Sequence, residues 1–402
     1  MERIGAADAE ESANKKINKT NVDGGNIKAM QIFPSVFGFS EGSYFETQQR
    51  LLQMASFSSS HNGEYFQEHC EFLLEDGSNI SAGTFSMPSV SNLRNRVKRA
   101  LESIDASPVK GSISIQNIVG EARNLHSKNI SNQGVVQAAS QFNFLEMVSP
   151  SGVPENGIEC YKYDRTQGPS CAIACAGGTA YRNYLVPVPF DKTSADDSRR
   201  GQVRTNQLNG LFLIEHYLQE KLGKVPWQVQ NGYMESNSSD LEQLNELLKN
   251  KGARDAIVER LCICVQESTD VTDRLESPVN LTQTYNSAVS IGYSKLSSES
   301  WEAIATTILD ATYEATLLVG LLNAIEVKNK ADKTASHCSI QRPVIYLTKV
   351  GGGVFQNRDK WIQASIKRAI EIVALYGYSL DVRIVHFRSD FPQGYDKLAG
   401  DY

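Results

Sequence analysis

Three consecutive glycines, Gly351, Gly352 and Gly353, follow a short apolar run and precede an amphipathic one. Without side chains there, the backbone can approach a ligand closely, and successive N–H groups beside a helix start suit an anion such as phosphate or diphosphate. The turn lacks the Gly-Lys-Ser/Thr ending of a P-loop and is not G-x-G-x-x-G followed by an acidic ribose clamp. Tight helix–strand packing without a ligand is equally open to such glycines. Val354 continues the turn. Beyond it, Phe355 could stack on a nucleotide or cover the core, and Asn357 could hydrogen-bond one. A second polar group, Gln141-Phe142-Asn143, pairs donors and acceptors in a way that can read a ribose or an amide. A third runs from Tyr163 through Asp164, Arg165, Thr166 and Gln167 to Gly168-Pro169. Asp164 there is either a ligand contact or a charge complementing a helix N-terminus.

These groups must be held by regular elements. Pro343–Leu347 reads as a strand buried on both faces, and it ends at the glycines. A helix follows with Trp361, Ile362, Ile366, Ala369, Ile370, Val373 and Tyr376 on its inner side and Gly377 as its stop. Leu380–Phe387 is the next strand, completing a right-handed βαβ unit. Val135–Ala139 forms a short buried strand before Gln141, and Gln167-Gly168-Pro169 opens a helix. A long helix begins after Ser297 and Ser298, with Trp301, Ile304, Ile308, Ala311, Ala315, Leu318, Leu322 and Ile325 as its apolar stripe. On its polar side Glu302, Asp310 and Glu314 form a row, either solvated or catalytic. Helices are further expected around Phe45–Met54, over Val90–Ile104 and over 240–260, and a strand over Leu261–Val265 before the loop bearing Asp270 and Asp273. Residues 1–27, with almost no large apolar side chains, predict a disordered tail.

The chain has 402 residues, 40 Lys and Arg against 46 Asp and Glu, and a net charge of −6, which argues against nucleic acid as its partner. No apolar run approaches the roughly 20 residues that span a bilayer, and Met1–Asn21 lacks the apolar stretch of a secretory signal. Seven cysteines form no C-x-x-C pair, which predicts free thiols, no structural metal and a cytoplasmic or nuclear location. The histidines neighbour no nucleophile motif, and His386 alternates with apolar residues as an interior side chain does.

Three segments occur in an order that resembles one family. They are Gln137-Ala138-Ala139-Ser140-Gln141-Phe142-Asn143-Phe144-Leu145-Glu146, Asp164-Arg165-Thr166-Gln167-Gly168-Pro169 and Leu347-Thr348-Lys349-Val350-Gly351-Gly352-Gly353-Val354-Phe355. Thr282–Ala288 and Tyr313–Leu317 fit it more weakly. Together, over roughly residues 80–390, they look like the atypical macrodomain group typified by the bacterial effector MavL, distantly similar to poly(ADP-ribose) glycohydrolases. The resemblance implies an α/β fold: a macrodomain-like three-layer α/β/α arrangement with a mixed sheet. The helical patterns near the N-terminus predict a mostly helical extension over 28–130, ahead of a catalytic domain over 131–395. The resemblance also implies ADP-ribose binding without a cofactor, and removal of ADP-ribose from mono-ADP-ribosylated protein, with arginine-linked ubiquitin as the target in the typifying member. Ligand contacts would come from Gln141, Phe142, Asn143, Thr166, Gln167, Gly351, Gly352, Gly353, Val354, Phe355 and Asn357. Cleavage at the ribose C1″ carbon needs a carboxylate to activate water or stabilise charge. Asp273 or Asp270 is expected in that role, with Asp164 holding the ribose. Three departures from the family pattern stand out: Asn286 replaces a small residue or cysteine, Val289-Ser290-Ile291 replaces a proline-containing turn, and Gln356 replaces a glycine. The changes at Asn286 and Gln356 favour the alternative function, a reader that binds ADP-ribose or ADP-ribosylated protein without turnover.

Overall fold

The computed structural model describes residues 31–61, 65–103, 111–126, 134–188, 200–272, 279–334, 343–387 and 393–402. The tail expected over 1–27 lies outside the described residues. In chain order the described strands are β1 Ala55–His61, β2 Phe66–Leu73, β3 Asn79–Ser86, β4 Ile113–Val119, β5 Val135–Ala139, β6 Gln228–Gln230, β7 Tyr233–Glu235, β8 Cys264–Asp270, β9 Asn280–Asn286, β10 Val344–Leu347, β11 Leu380–His386 and β12 Gly400–Asp401. Ten of them form one sheet in the order β1-β2-β3-β8-β9-β5-β10-β11-β4-β12, and β6 pairs only with β7. The five neighbours β9, β5, β10, β11 and β4 run parallel. The flanking pairs are antiparallel, so the sheet is mixed.

Parallel strands need cover on both faces, and the side-chain period of two supplies it. On β10, Ile345 and Leu347 join one apolar cluster while Val344 and Tyr346 join another. On β5, Val135 belongs to the first cluster, and Val136 and Ala138 belong to the second. The first face is covered by helices Val90–Glu102, Ser298–Thr334 and Asp359–Ala374. The second is covered by helices Ile32–Val36, Gln167–Ala174 and Ala176–Ala180. The result is the three-layer α/β/α arrangement with a mixed sheet.

Helix Ser298–Thr334 runs through the interior. Besides its apolar stripe, Thr307, Thr312, Glu314 and Thr316 are wholly buried. Its first 32 residues are long and apolar enough to cross a membrane, but 83% of the most apolar window is buried inside the protein. The acidic row is tied into hydrogen bonds and ion pairs, with Glu302 half-exposed and Glu314 fully buried. Glu302 accepts a hydrogen bond from Trp361 Nε1 at 2.8 Å, and Asp310 accepts one from Ser365 Oγ at 2.6 Å. Glu314 sits between Arg94 Nε at 2.6 Å and Arg368 Nη1 at 2.9 Å. These charge-assisted bonds tie three helices together where they leave solvent.

Two expectations need correction. Residues 28–130 are not a mostly helical extension, because they contribute β1–β4, and β4 lies in the parallel core beside β11. β1 reads Ala-Ser-Phe-Ser-Ser-Ser-His at a solvated sheet edge, so no apolar alternation announces it. The helix expected over 240–260 is two helices, Ser238–Leu247 and Lys251–Arg260. Asn250 starts the second by accepting a hydrogen bond from Ala253 N at 3.1 Å.

Candidate functional site

The parallel strands end together. Ala139, the last residue of β5, pairs with Asn286, the last of β9, and β10 ends nearby at Leu347. Open α/β sheets bind ligands outside this carboxyl edge. The glycine turn leaves β10 here, pinned from below. Tyr313 Oη donates to Thr348 O at 2.8 Å and accepts from Val350 N at 3.0 Å. Gly351 has φ +73°, and a Cβ on it would lie 2.5 Å from that of Ala288 and 2.6 Å from Asn357 Nδ2. Gly353 has nothing within 4 Å of where its Cβ would be. The N–H groups of Gly353, Val354 and Phe355 find no acceptor among the described residues. A row of unpaired amides is an anion cradle. The helix end contributes less than expected. It starts only at Asp359, whose own carboxylate occupies the first turn and lies 3.6 Å from Lys349 Nζ.

The amide side chains expected to contact ligand are engaged elsewhere. Gln141 clasps Met147, accepting from its N–H at 2.7 Å and donating to its carbonyl at 3.2 Å. Asn143 accepts from Leu145 N at 3.2 Å and donates to Gln207 Oε1 at 2.9 Å. Phe142 is buried in the core. Asn357 Nδ2 donates to Val289 O at 2.8 Å and to Gly351 O at 3.3 Å, bracing the glycine turn from behind. Gln167 accepts from Ala139 N at 2.7 Å and donates to Gln137 O at 2.8 Å, so its side chain extends the β5 ladder. Their common role is to fix the loops that form the site.

Two adjoining clefts flank the turn. One, of about 190 Å³, is lined by Ser140, Gln141, Glu146, Asp164, Gly351, Gly353, Val354 and Phe355, with Tyr233 and Tyr293 opposite. Tyr233, Tyr293 and Phe355 pack as an aromatic trio with centroids 5.1–6.0 Å apart. The other, of about 340 Å³, is an apolar slot walled by Leu125, Val136, Tyr346, Val385 and Phe387, with Arg165 and Gly352 at its edge. Thr166, Gln167, Thr348, Lys349 and Gly353 line both, so the two are continuous.

The carboxylates are redistributed. Asp164 stands partly exposed in the first cleft and accepts from Thr166 N at 2.8 Å. Asp270 does not reach the site. It pairs with Asn280 at the start of β9, about 20 Å along the strand from Asn286, and accepts from Ser81 N at 2.8 Å. β8 runs antiparallel to β9, which carries its last residue away from the carboxyl edge. Asp273 lies outside the described residues. His386 is an interior histidine held by Asn117 Oδ1 at 2.9 Å, and burial lowers its pKa to about 4.

Glu146 was not among the expected site residues. It is 1% exposed, it lines the first cleft, and neither carboxyl oxygen has a hydrogen-bond partner among the described residues. Burial pushes its pKa up to about 8, against the pull of Arg182 Nη2 at 3.8 Å. It is the first acid after β5, in a loop of Ser140, amides and apolar residues. Within that loop Phe144 has φ +61°, a strained conformation of the kind held in place at functional sites.

No protein-family model matches the chain, and no curated protein matches it. Among solved structures, it is similar to poly(ADP-ribose) glycohydrolase from Deinococcus radiodurans in complex with ADP-ribose, at 11% identity and a TM-score of 0.34, over 77% of this chain and 89% of that one. It is similar to the Thermomonospora curvata poly(ADP-ribose) glycohydrolase at 9% identity and a TM-score of 0.35, over 86% and 92%. The same Thermomonospora curvata enzyme bound to the inhibitor ADP-HPD aligns at 9% identity and a TM-score of 0.32, over 87% and 93%.

Proposed function

We propose that this protein is an ADP-ribosyl hydrolase with its active site at the carboxyl edge of β5 and β10. The observation that carries the reading is the row of unpaired N–H groups at Gly353, Val354 and Phe355, set between an apolar slot and a carboxylate-bearing cleft. ADP-ribose has matching parts in that order. The adenine takes the slot between Leu125, Val136 and Phe387, the diphosphate takes the amides, and the distal ribose takes the aromatic cleft. Lys349, which lines both clefts, offsets diphosphate charge in a chain whose net charge is −6.

Asp164 is the carboxylate on the open side of the cleft, where it orients the ribose or the attacking water. The motif resemblance adds a finer expectation, arginine-linked ADP-ribose on ubiquitin. Incubation with arginine-, serine- and glutamate-linked ADP-ribosyl proteins checks this directly. Release from the arginine linkage alone supports it, and release from another linkage alone overturns it. The Asp164→Ala and Asp273→Ala variants assign the water-orienting carboxylate by which one loses release.

A reader without turnover is the second reading. It is favoured by the commitment of the Gln141, Asn143, Gln167 and Asn357 amides within the protein and by the distance of Asp270 from the cleft. Calorimetry with ADP-ribose, beside an assay for ADP-ribose released from mono-ADP-ribosylated protein, separates the two. Binding with release supports the hydrolase, binding without release supports the reader, and no binding removes both.

A further inference from the structure

We propose that the free edge of the β6–β7 hairpin binds an extended segment of the ADP-ribosylated protein, next to its modified residue. The assignment rests on the placement of ADP-ribose proposed above and says where the protein part of that substrate lies. β6 and β7 are joined by the two-residue turn Asn231-Gly232, and Gln230 and Tyr233 close it. In such a hairpin the closing pair exchanges hydrogen bonds, so the next pair, Val229 and Met234, points its N–H and C=O groups outward. On the β7 edge those groups are satisfied. Met234 N donates to Ser290 Oγ at 3.2 Å, and Met234 O accepts from the same hydroxyl at 3.0 Å. On the β6 edge, Val229 N–H and C=O have no hydrogen-bond partner among the described residues. An outward donor and acceptor on one edge are what a further strand pairs with when it adds to a sheet.

That edge borders a cleft of about 470 Å³, walled by Val153, Thr205, Leu208, Val229 and Asn231. The Val229 side chain packs against the first apolar cluster. The hairpin turn itself is fixed. Asn231, at φ +48°, donates from Nδ2 to Pro150 O at 2.7 Å and accepts from Gln207 Nε2 at 2.8 Å. Gly232, at φ +79°, accepts at its carbonyl from Phe142 N at 3.1 Å, and a Cβ on it would lie 2.5 Å from that of Gln141. The edge is therefore presented at a set position beside the Gln141–Asn143 loop.

The place of this cleft identifies its occupant. The apolar slot and the aromatic cleft meet at the glycine turn, sharing Thr166, Gln167, Thr348, Lys349 and Gly353. Tyr233 lines the aromatic cleft, and the two residues before it, Asn231 and Gly232, line the edge cleft. On the facing loop Met147 and Val148 line the one, and Ser151 and Val153 line the other. The compartments thus run in the order slot, turn, aromatic cleft, edge cleft. ADP-ribose carries its protein on the ribose distal to adenine. With adenine in the slot, the attached polypeptide emerges at the hairpin and meets the Val229 edge. Main-chain hydrogen bonds there supply affinity, and Val153 and Leu208 favour an apolar side chain beside them.

The test compares three probes carrying the same arginine-linked ADP-ribose. They are a short peptide, that peptide N-methylated at the amides flanking the modified residue, and free ADP-ribosyl-arginine. For the wild type, KM for the plain peptide is expected to be about tenfold or more below that for the other two. Val229→Pro removes an N–H that the hairpin does not use. It is expected to raise the plain-peptide KM about tenfold and to change release from ADP-ribosyl-arginine less than about twofold. Thr205→Trp fills the cleft from outside the hairpin and is expected to act in the same way, whether or not Val229→Pro folds.

Equal KM for the three probes in the wild type overturns the docking edge and leaves the hydrolase reading standing. Equal losses on all three probes in both variants report damage to the fold and overturn it as well. Self-association of the wild type in light scattering that Val229→Pro abolishes assigns the edge to a second copy of this chain, and the proposal falls. Where the arginine linkage stays intact, calorimetric affinities of the same probes replace KM. Tighter binding of the plain peptide without release from any linkage upholds the docking edge and overturns the hydrolase reading, and no binding of ADP-ribose overturns both.

Discussion

A Cβ on Gly168 would stand 2.0 Å from the carbonyl oxygen of Ala139. The helix that opens at Gln167 therefore meets the end of β5 backbone to backbone, and the Gln167 amide stitches the junction on both sides. This contact sets the distance between the Asp164 loop and the glycine turn. Gly168→Ala forces the two apart. It should cost about 1–3 kcal/mol of stability and abolish ADP-ribose binding, as read by urea denaturation and calorimetry. An unchanged unfolding midpoint would contradict the packing described.

Gly351 and Gly353 should respond differently to alanine. Gly351 combines φ +73° with a crowded Cβ position, so Gly351→Ala should cost about 1–3 kcal/mol. Gly353 is open, so Gly353→Ala should change stability by less than about 0.5 kcal/mol. Its new methyl enters the space assigned to diphosphate and should weaken ADP-ribose binding about tenfold. Paired melting and titration experiments on the two variants check this.

Glu146 makes stability depend on pH in a defined direction. Its native pKa of about 8 lies above the ordinary value of 4.5, so between them the native state holds a proton that the unfolded chain has lost. Its contribution is fully present below pH 4.5 and is lost as pH rises towards 8, at up to about 1.4 kcal/mol per unit. Glu146→Gln should remove this slope. Urea unfolding of both proteins at pH 5, 6, 7 and 8 measures it, and parallel curves would contradict the assigned shift.

Gln356 sits at φ +56°, a left-handed conformation that costs a side-chain-bearing residue about 1–2 kcal/mol. Glycine relieves that cost but adds about 0.5–1 kcal/mol of backbone entropy to be lost on folding. Gln356→Gly should therefore raise stability by about 0.5 kcal/mol, visible as a higher melting temperature. A lower melting temperature would show that the Gln356 side chain contributes packing that outweighs the strain.

The readable part of the molecule was the part with strong periodicity. Strand Val344–Leu347, helix Asp359–Ala374 and strand Leu380–His386 lie within two residues of the expected bounds, because buried parallel strands and an amphipathic helix leave clear apolar patterns. β1 was illegible because its serines face solvent at the sheet edge. The site divides along similar lines. A run of three glycines is a backbone signal visible in the sequence itself. Whether an amide faces ligand or clasps a loop depends on partners distant in sequence, as Gln167 and Ala139 show across 28 residues. Asp270 was misplaced because strand direction is a property of the sheet.

The cradle at Gly353, Val354 and Phe355 is tested most directly by calorimetric titration of ADP-ribose into the wild-type protein and Gly353→Ala. One-to-one saturable binding, weakened about tenfold in the variant, is the predicted result. Absence of binding to the wild type, or equal affinity in the two proteins, would contradict it.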